Sequence, residues 1–459
     1  MMTEDEKKRR AEVEAFRKLI EEGVNKRGLL DEIEIEAEDA KREFGHRRVD
    51  EKIQALTPES GRAKPCPRCG RSAKVRAKDV PRTFEGMNGT HTYKRNQHYC
   101  ETCKASFFPR DEELGIVKGS GISNEVAKRV LDFSINVPFE TCEERWAVHY
   151  PLMPFSANQF RQVGKRLGDA LEECDESLLE SSLRPPSSEP AKVLYVQNDG
   201  AMVSMQNGDW REVKSAVMFN DDHHLRGSET KKRGVILEAR YVSVLGSQEE
   251  FKEKLKPALK VINAVSAEVI IWLADGARGN WVLAQQLCPR AIQILDWFHA
   301  VEHASDCAKK LFGETDACVE VFRRRVEHLL SIGDVKGCVR ELMNCLEFTE
   351  TAAQVSAINE LVGYYKSNQK RMQYDVYIAN HWLIGSGAIE STHRHVIHAR
   401  MKLAGQHWGE RGGRTMARMR AAYRTAGPRR FFDAIHWAHR QSMAGIRLPK
   451  PVKRRASNR

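Results

Sequence analysis

"EVIIWLADGA", residues 268–277, is a continuous run of β-branched and large apolar side chains that gives out at Asp275 and Gly276. Such a run, bounded by a turn signal and without polar alternation, predicts a fully buried central strand of the kind found in parallel sheets. The flanking grammar agrees. "KVLYVQNDG" (192–200) is a short strand that reaches Asp199, and "REVKSAVMFN" (211–220) and "ARYVSVLG" (239–246) are two further strands. "SQEEFKEKLKPALKVI" (247–262) returns to helical period, and "AIQILDWFH" (291–299) is a strand that reaches Asp296. Three strands would each deliver an aspartate at the C-terminal end, where open α/β sheets place ligand sites. From residue 300 to about 384 the pattern is helical only; "IGSGAIESTHRHVIHARMK" (384–402) then places Glu390 on a new helix just past a Gly-Ser-Gly turn.

Asp199 precedes Gly200 and Asp275 precedes Gly276, and the glycines would let backbone and a metal approach closely. Two strand-end aspartates and a helical glutamate make a set of hard oxygens that suits Mg²⁺, or Mn²⁺. A pair of such ions roughly 3.5 to 4 Å apart can stabilise the attacking and leaving oxygens of an in-line phosphoryl displacement. The plainer reading of each Asp-Gly is a favoured turn.

In the N-terminal half, Cys66 and Cys69 in "CPRCG" and Cys100 and Cys103 in "YCETC" are two C-x-x-C turns. Together they can close a tetrahedral Zn²⁺ site whose binding supplies folding energy to a small ribbon, and the spacer between them leaves room for a β-hairpin or a DNA-contacting loop. A redox pair is the alternative; neither turn sits in a βαβ context. "PFETCEERWAVHYPLMPFSANQFRQVGKRL" (138–167) reads as helix, turn, helix with Ser156 as the second N-cap. Asn158, Gln159, Arg161 and Gln162 would then open a recognition helix able to read base edges, although a plain helical hairpin has the same pattern. "VEAFRKLIEEGV" (13–24) carries an apolar stripe of Val13, Phe16, Leu19 and Ile20, suited to an arm or a dimerisation helix. "SSLRPPSSEPAK" (181–192) reads as a linker and domain boundary.

A chain of 459 residues with 41% apolar side chains predicts two to four domains. Its net charge is +11, yet from Thr392 onward 17 Lys/Arg face only Glu410 and Asp433, a net of +15 that leaves the preceding residues at about −4. A surplus concentrated this way implies a polyanion held there; a solvated basic tail is the bland alternative. Arg400, Lys402, Arg411, Arg414, Arg418 and Arg420 would form a phosphate track. Eleven cysteines, an N-terminus ("MMTEDEKKRR") unlike a signal peptide and no run long enough to cross a bilayer predict a soluble cytoplasmic protein without membrane contact.

In order along the chain, "YVQNDG", "WLADGARGNW", "LDWFHAVEHA", "IGSGAIES" and "ARMKLAGQHW" resemble the DDE transposases of bacterial insertion sequences, specifically the ISKra-type group related to Mutator-like transposases. The resemblance covers roughly residues 60–425. It implies an α/β RNase H-like catalytic core interrupted by an all-helical insertion, preceded by a zinc ribbon and a helix-turn-helix region. Carried over, Asp199, Asp275 and Glu390 become the Mg²⁺-binding triad, and Asp296 with His299 match a Cys/Asp-x-x-His motif that positions DNA near the cleaved phosphate or supports the triad without binding the catalytic ions. The residues alone leave a separate zinc centre open at Asp296, His299 and His303, the histidines sharing a helical face. The implied activity is Mg²⁺-dependent cleavage at transposon ends and strand transfer into target DNA by a homodimer or higher oligomer on double-stranded DNA, in a nucleoid-associated bacterial protein. A catalytically silent, zinc-bearing DNA-binding regulator and a nuclease that does not transpose are the alternatives. The expected organisation is a charged helical arm (1–60), a Cys₄ zinc ribbon (61–115), a helix-turn-helix-like region (122–182), the first part of the core (190–299), the helical insertion (300–384), the last core helix with Glu390 (385–430) and a basic tail (431–459).

Overall fold

The computed structural model describes residues 14, 18, 28–116, 121–187, 189–227 and 234–444, without the side chains of residues 440–444. The stripe Val13, Phe16, Leu19 and Ile20 lies outside the described residues. Two compact units, Met1–Ala127 and Lys128–Arg459, are described in turn.

In the first unit, helix α1 (Leu29–Gln54) is followed by a four-stranded sheet, β1 (Lys64–Pro65), β2 (Ser72–Gly86), β3 (Gly89–Cys100) and β4 (Ala105–Phe107), paired in that order. The long β2–β3 hairpin closes through Met87 and Asn88, with Gly86 opposite Gly89. It occupies the spacer between the C-x-x-C turns, the first of the two possibilities the spacer left open. A short helix α2 (Pro109–Glu113) follows, and α3 (Asn124–Asn136) leads out of this unit. The apolar clusters are small: Cys66, Ala73 and Cys100 at one end of the hairpin, Phe84, Tyr93 and Ile116 at the other.

In the second unit, α4 (Phe139–His149), α5 (Ala157–Glu173) and α6 (Glu176–Leu183) precede the strands. As expected, Ser156 caps α5, its side chain accepting from the Gln159 N–H while Gln159 reaches back in a capping box. A mixed sheet then forms from β5 (Val193–Ser204), β6 (Trp210–Asn220), β9 (Arg240–Leu245), β10 (Val269–Ala274) and β11 (Ile292–Leu295), in the order β11–β10–β5–β6–β9; two-residue strands β7 (His224–Leu225) and β8 (Val235–Ile236) pair apart from it. β5, β6 and β9 run antiparallel, and β10 and β11 run parallel to β5. Central β10 is covered on both faces, and its Trp272 is fully buried, as the uninterrupted apolar run requires.

Helices α7 (Gln248–Val261) and α8 (Arg278–Leu287) flank the sheet. Helices α9 (Trp297–Phe312), α10 (Ala317–Ser331), α11 (Val335–Cys345), α12 (Ala352–Asn368) and α13 (Tyr374–Ala379) follow, and their buried side chains are continuous with the sheet core. The Tyr365 hydroxyl donates to the carbonyl of Ala300 and that of Tyr374 to Leu295, so the helical block is bolted to β11 and the start of α9. Then come α14 (Gly387–Thr392), a π-helical turn (His393–His398), α15 (Ala399–Met401) and the long α16 (Glu410–Ala444), bent at Gly427 (φ 70°) and Pro428. Among the described residues no helix is long and apolar enough to cross a membrane.

Three expectations change. Residues 181–192 do not separate compact units, because the division falls near Ala127. Gly168 explains the close packing of α5: a Cβ there would come within 1.7 Å of Thr415 of α16. The segment 431–459 is not wholly a tail, since α16 continues to Ala444 with Phe431, Ala434, Ile435 and Ala438 buried; residues 445–459 lie outside the described residues. The strand ending at Asp199 is longer than read, running on through "AMVS", so that Asp199 lies mid-strand opposite Ser215.

Candidate active site and metal centres

β10 and β5 run side by side in parallel with Ala274 opposite Asn198, so Asp275, the next residue out of β10, emerges beside Asp199. Asp275 is held from below: Oδ1 accepts from the Ala277 N–H (3.0 Å) and from Asn280 Nδ2 (2.6 Å), Asn280 Oδ1 accepts from Asn198 Nδ2 (2.7 Å), and Asn198 Oδ1 accepts from Trp272 Nε1 (2.7 Å). Asp199 Oδ1 accepts from the Gly200 N–H (2.7 Å), and Oδ2 lies 3.6 Å from His393 Nδ1. Burial pushes the Asp199 carboxyl up to about 6, against the Gly200 hydrogen bond, and the neighbouring charge of Asp275 adds to the rise. The two glycines serve neighbours rather than open space. A Cβ on Gly200 would meet the Glu212 carboxylate at 1.9 Å, and one on Gly276 the Tyr364 ring at 2.2 Å.

Glu390 sits on α14, which is tied to the sheet by two buried polar side chains. Gln197 of β5 accepts from the Ile389 N–H (3.1 Å) and donates to the Gly385 carbonyl (3.5 Å). Asp296, fully buried, caps α9 through the Phe298 N–H (3.0 Å) and accepts from the N–H and hydroxyl of Ser386. Burial raises its carboxyl as well. Asp296 therefore holds the Gly-Ser-Gly turn, and through it the start of α14. His299 is partly exposed, 3.8 Å from Asp296 Oδ2 and 3.6 Å from Glu302. His303 lies against Tyr364 instead, the rings tilted with centroids 4.3 Å apart, and among the described residues Asp296, His299 and His303 form no metal-holding group, against the separate zinc centre.

The side chain of Glu390 is exposed, and Asp199, Asp275 and Glu390 do not converge to within 4.8 Å of one another as the four cysteines do. Strand register thus sets the two aspartates side by side, while Glu390 is exposed on α14. Their oxygens are hard donors, and the stress of two ionised carboxylates in a half-buried place is what a divalent cation relieves. Sequence reading missed three neighbours. Glu212 opposes β5 through sheet register, His393 is buried on the π-helical turn with Nε2 unpartnered, and Tyr364 arrives from α12 with an unpartnered hydroxyl. Only pairing across the sheet and packing of the helical block bring them in; π-turns do recur at functional sites.

In the first unit, the Sγ atoms of Cys66, Cys69, Cys100 and Cys103 all lie within 4.8 Å of one another, with Cys66–Cys103 at 3.9 Å and Cys69–Cys100 at 3.6 Å. Zinc–sulfur bonds of about 2.3 Å in a tetrahedron set sulfurs about 3.8 Å apart, so the cluster fits and could bind zinc. The Cys103 N–H and the neighbouring thiols draw the Cys100 thiol down, and the same thiols push Cys103 up, so the four share their protons as one group.

On α5, Asn158, Gln159, Arg161 and Gln162 all face solvent. Gln159 is engaged in the capping box, and Arg161 lies over the Phe139 ring, 3.9 Å from Glu140. Of the four, only Arg161 lines a groove of about 850 Å³, together with Lys165, His407, Trp408 and Arg411. The phosphate track needs correction. Lys402 and Arg411 are exposed, but Arg411 pairs with Asp169 (2.7 Å) and Arg414 with Glu250 (2.7 Å). Arg400, Arg418 and Arg420 are buried: Arg400 donates to the Ser134 carbonyl and lies against Phe139 and Trp408, Arg420 donates to the carbonyls of Ile135, His395 and Val396, and Arg418 pairs with Glu172 and Glu176. Charge reversal at Arg418 should therefore act on stability. Breaking the ion pairs of buried Arg418 and placing a like charge beside Glu172 and Glu176 costs about 3–5 kcal/mol, read as a lower urea midpoint; unchanged stability with weakened DNA binding would return Arg418 to the track.

The model of an uncharacterised protein family, UPF0236, matches residues 68–441. No curated protein matches the chain. Among solved structures, a Drosophila P element transposase strand transfer complex aligns with 74% of this chain and 96% of its own at 8% identity, with a TM-score of 0.25. A likeness that slight carries no argument.

Proposed function

The chain belongs to the UPF0236 family, and from that premise we propose that it is a DNA transposase of the DDE type, akin to the ISKra-type and Mutator-like enzymes, which cleaves transposon ends and transfers them into target DNA. The observation that carries this reading is the pair Asp199 and Asp275 on adjacent parallel strands, one of them with a carboxyl raised by burial and by the other's charge. A five-stranded mixed sheet, with three antiparallel strands followed in sequence by two parallel ones, supports an RNase H-like core. Gln197, Asp296 and Ser386 support the assignment of Glu390, because they set α14 against β5.

Asp199, Asp275 and Glu390 would hold Mg²⁺ or Mn²⁺. When bound, the ion supplies Lewis-acid stabilisation to phosphoryl oxygens. The chain's own part is to fix Asp275 through Asn280 and Asn198, to keep Asp199 partly dry, and to present Glu390 at an open rim where DNA can reach. Asn158, Gln159, Arg161, Gln162, Lys402 and Arg411 are the solvent-facing candidates for DNA contact. Because two ends must be joined, the acting species is a homodimer or larger.

A second reading, a DNA-binding regulator that no longer cuts, is favoured by the exposure of Glu390 and by the three acids not closing into one group within 4.8 Å. An end-cleavage assay on double-stranded DNA carrying the element ends, with Mg²⁺, decides between them: nicked ends and joined products are expected, and DNA binding without nicking would establish the regulator. The pH profile adds a check. Asp199 is ionised above about 6 and protonated below, so protons compete with the cation there. The half-saturating Mg²⁺ concentration should rise by about tenfold per pH unit below that value, and a flat profile would remove Asp199 from the site.

A further inference from the structure

We propose that His46, Asp50 and His91 form a second metal site, for a borderline divalent transition ion such as Zn²⁺, that pins helix α1 to the tip of the β2–β3 hairpin. His46 and Asp50 are four residues apart on α1 and so share one face; His91 projects from β3 near the hairpin turn. The three contribute one ligand atom each within 4.8 Å of one another. Asp50 divides its carboxylate between the imidazoles, with Oδ1 2.7 Å from His91 Nδ1 and Oδ2 3.2 Å from His46 Nε2, and the rings stack at 4.6 Å. Two imidazole nitrogens and a carboxylate oxygen form a donor set that suits zinc and its neighbours rather than Mg²⁺. His91 is buried, while His46 and Asp50 are 36% and 42% exposed, so the fourth position of a tetrahedral ion faces water.

The hairpin is shaped around these rings. A Cβ on Gly86 would lie 2.8 Å from His91 Cδ2, and one on Gly89, at φ 126°, 3.1 Å from His46 Nδ1; a Cβ on Gly45 of α1 would lie 2.8 Å from the Asn88 side chain in the turn. Backbone and imidazoles therefore approach as closely as glycine allows. The helix also lacks another strong means of attachment. None of its 26 residues is buried, and Ile53 near its end supplies only partly buried apolar contact. A helix without an apolar stripe gains little by packing, so one coordination centre can decide whether it docks.

This site is independent of the four cysteines and of the transposase reading. Metal content of the full-length protein, loaded with zinc and freed of excess, tests it. Wild type should hold two zinc ions per chain, one in each candidate group, and His46→Ala and Asp50→Asn should each hold one. Both residues are partly exposed on a helix, so the variants should keep their helical content by circular dichroism. In the cobalt-loaded protein the thiolate-to-metal charge-transfer band of the cysteine site should persist in both variants, while the d–d bands of the nitrogen and oxygen site disappear. Protease cleavage within α1 should rise at least several-fold in both. One zinc per wild-type chain, or equal metal content in wild type and both variants, would overturn the proposal and leave a hydrogen-bonded triad.

Discussion

Asp199→Asn should lower Mg²⁺-dependent end cleavage by about a thousandfold, the upper end of the range for removing one preorganised electrostatic group, without unfolding the protein. The amide is nearly isosteric and can still accept the Gly200 N–H, so β5 keeps its register with β6 and β10. The ionised carboxylate is costly in the metal-free fold, because burial and Asp275 raise its pKa to about 6. The sign follows: a raised carboxyl destabilises the folded state above about 6, and that cost fades as pH falls towards the unfolded value. At neutral pH without divalent ions, the variant should therefore melt at the same temperature as wild type or slightly higher, and it should lose the stabilisation that Mg²⁺ confers on wild type. Cleavage at wild-type rate would end the catalytic assignment; a much lower melting temperature would recast Asp199 as structural. Asp275→Asn should match it in cleavage. It should be less benign in stability, since Oδ1 organises the Ala277 N–H and Asn280.

Removing zinc from the cysteine cluster, by a strong chelator or by Cys100→Ser, should unfold the base of the hairpin. Apolar packing there amounts to Ala73 and the cysteines themselves, with Phe107 against them, far short of a self-sufficient core. Structural zinc contributes about 10–16 kcal/mol of binding free energy in small zinc domains, and that energy is folding energy. The readout is trypsin cleavage at the Lys- and Arg-rich strands β2 and β3, expected to rise by orders of magnitude on chelation and to reverse with zinc. Lys128–Arg459 should be untouched, since it is a separate compact unit. An unchanged digestion pattern after complete metal loss would show that the hairpin is held by other forces.

What the sequence determined was the local grammar. The buried run 269–274, the strands before and after it, the cap at Ser156 and the paired C-x-x-C turns were legible because each depends on a few neighbouring side chains and on backbone propensity. Even there a boundary failed: "DG" after "YVQN" reads as a turn, yet β5 continues because β6 pairs along its whole length. Tertiary structure alone decided which charges are free. Arg400, Arg418 and Arg420 look like a phosphate track in one dimension, but their partners lie at Ser134, Glu176 and Ile135, more than 240 positions away. It also decided the role of Asp296, a buried clamp on Ser386, 90 residues along the chain. The physical reason is the same in each case. Composition states how many charges a chain carries, whereas desolvation and pairing, which set what each charge can do, depend on who arrives opposite it when the chain folds.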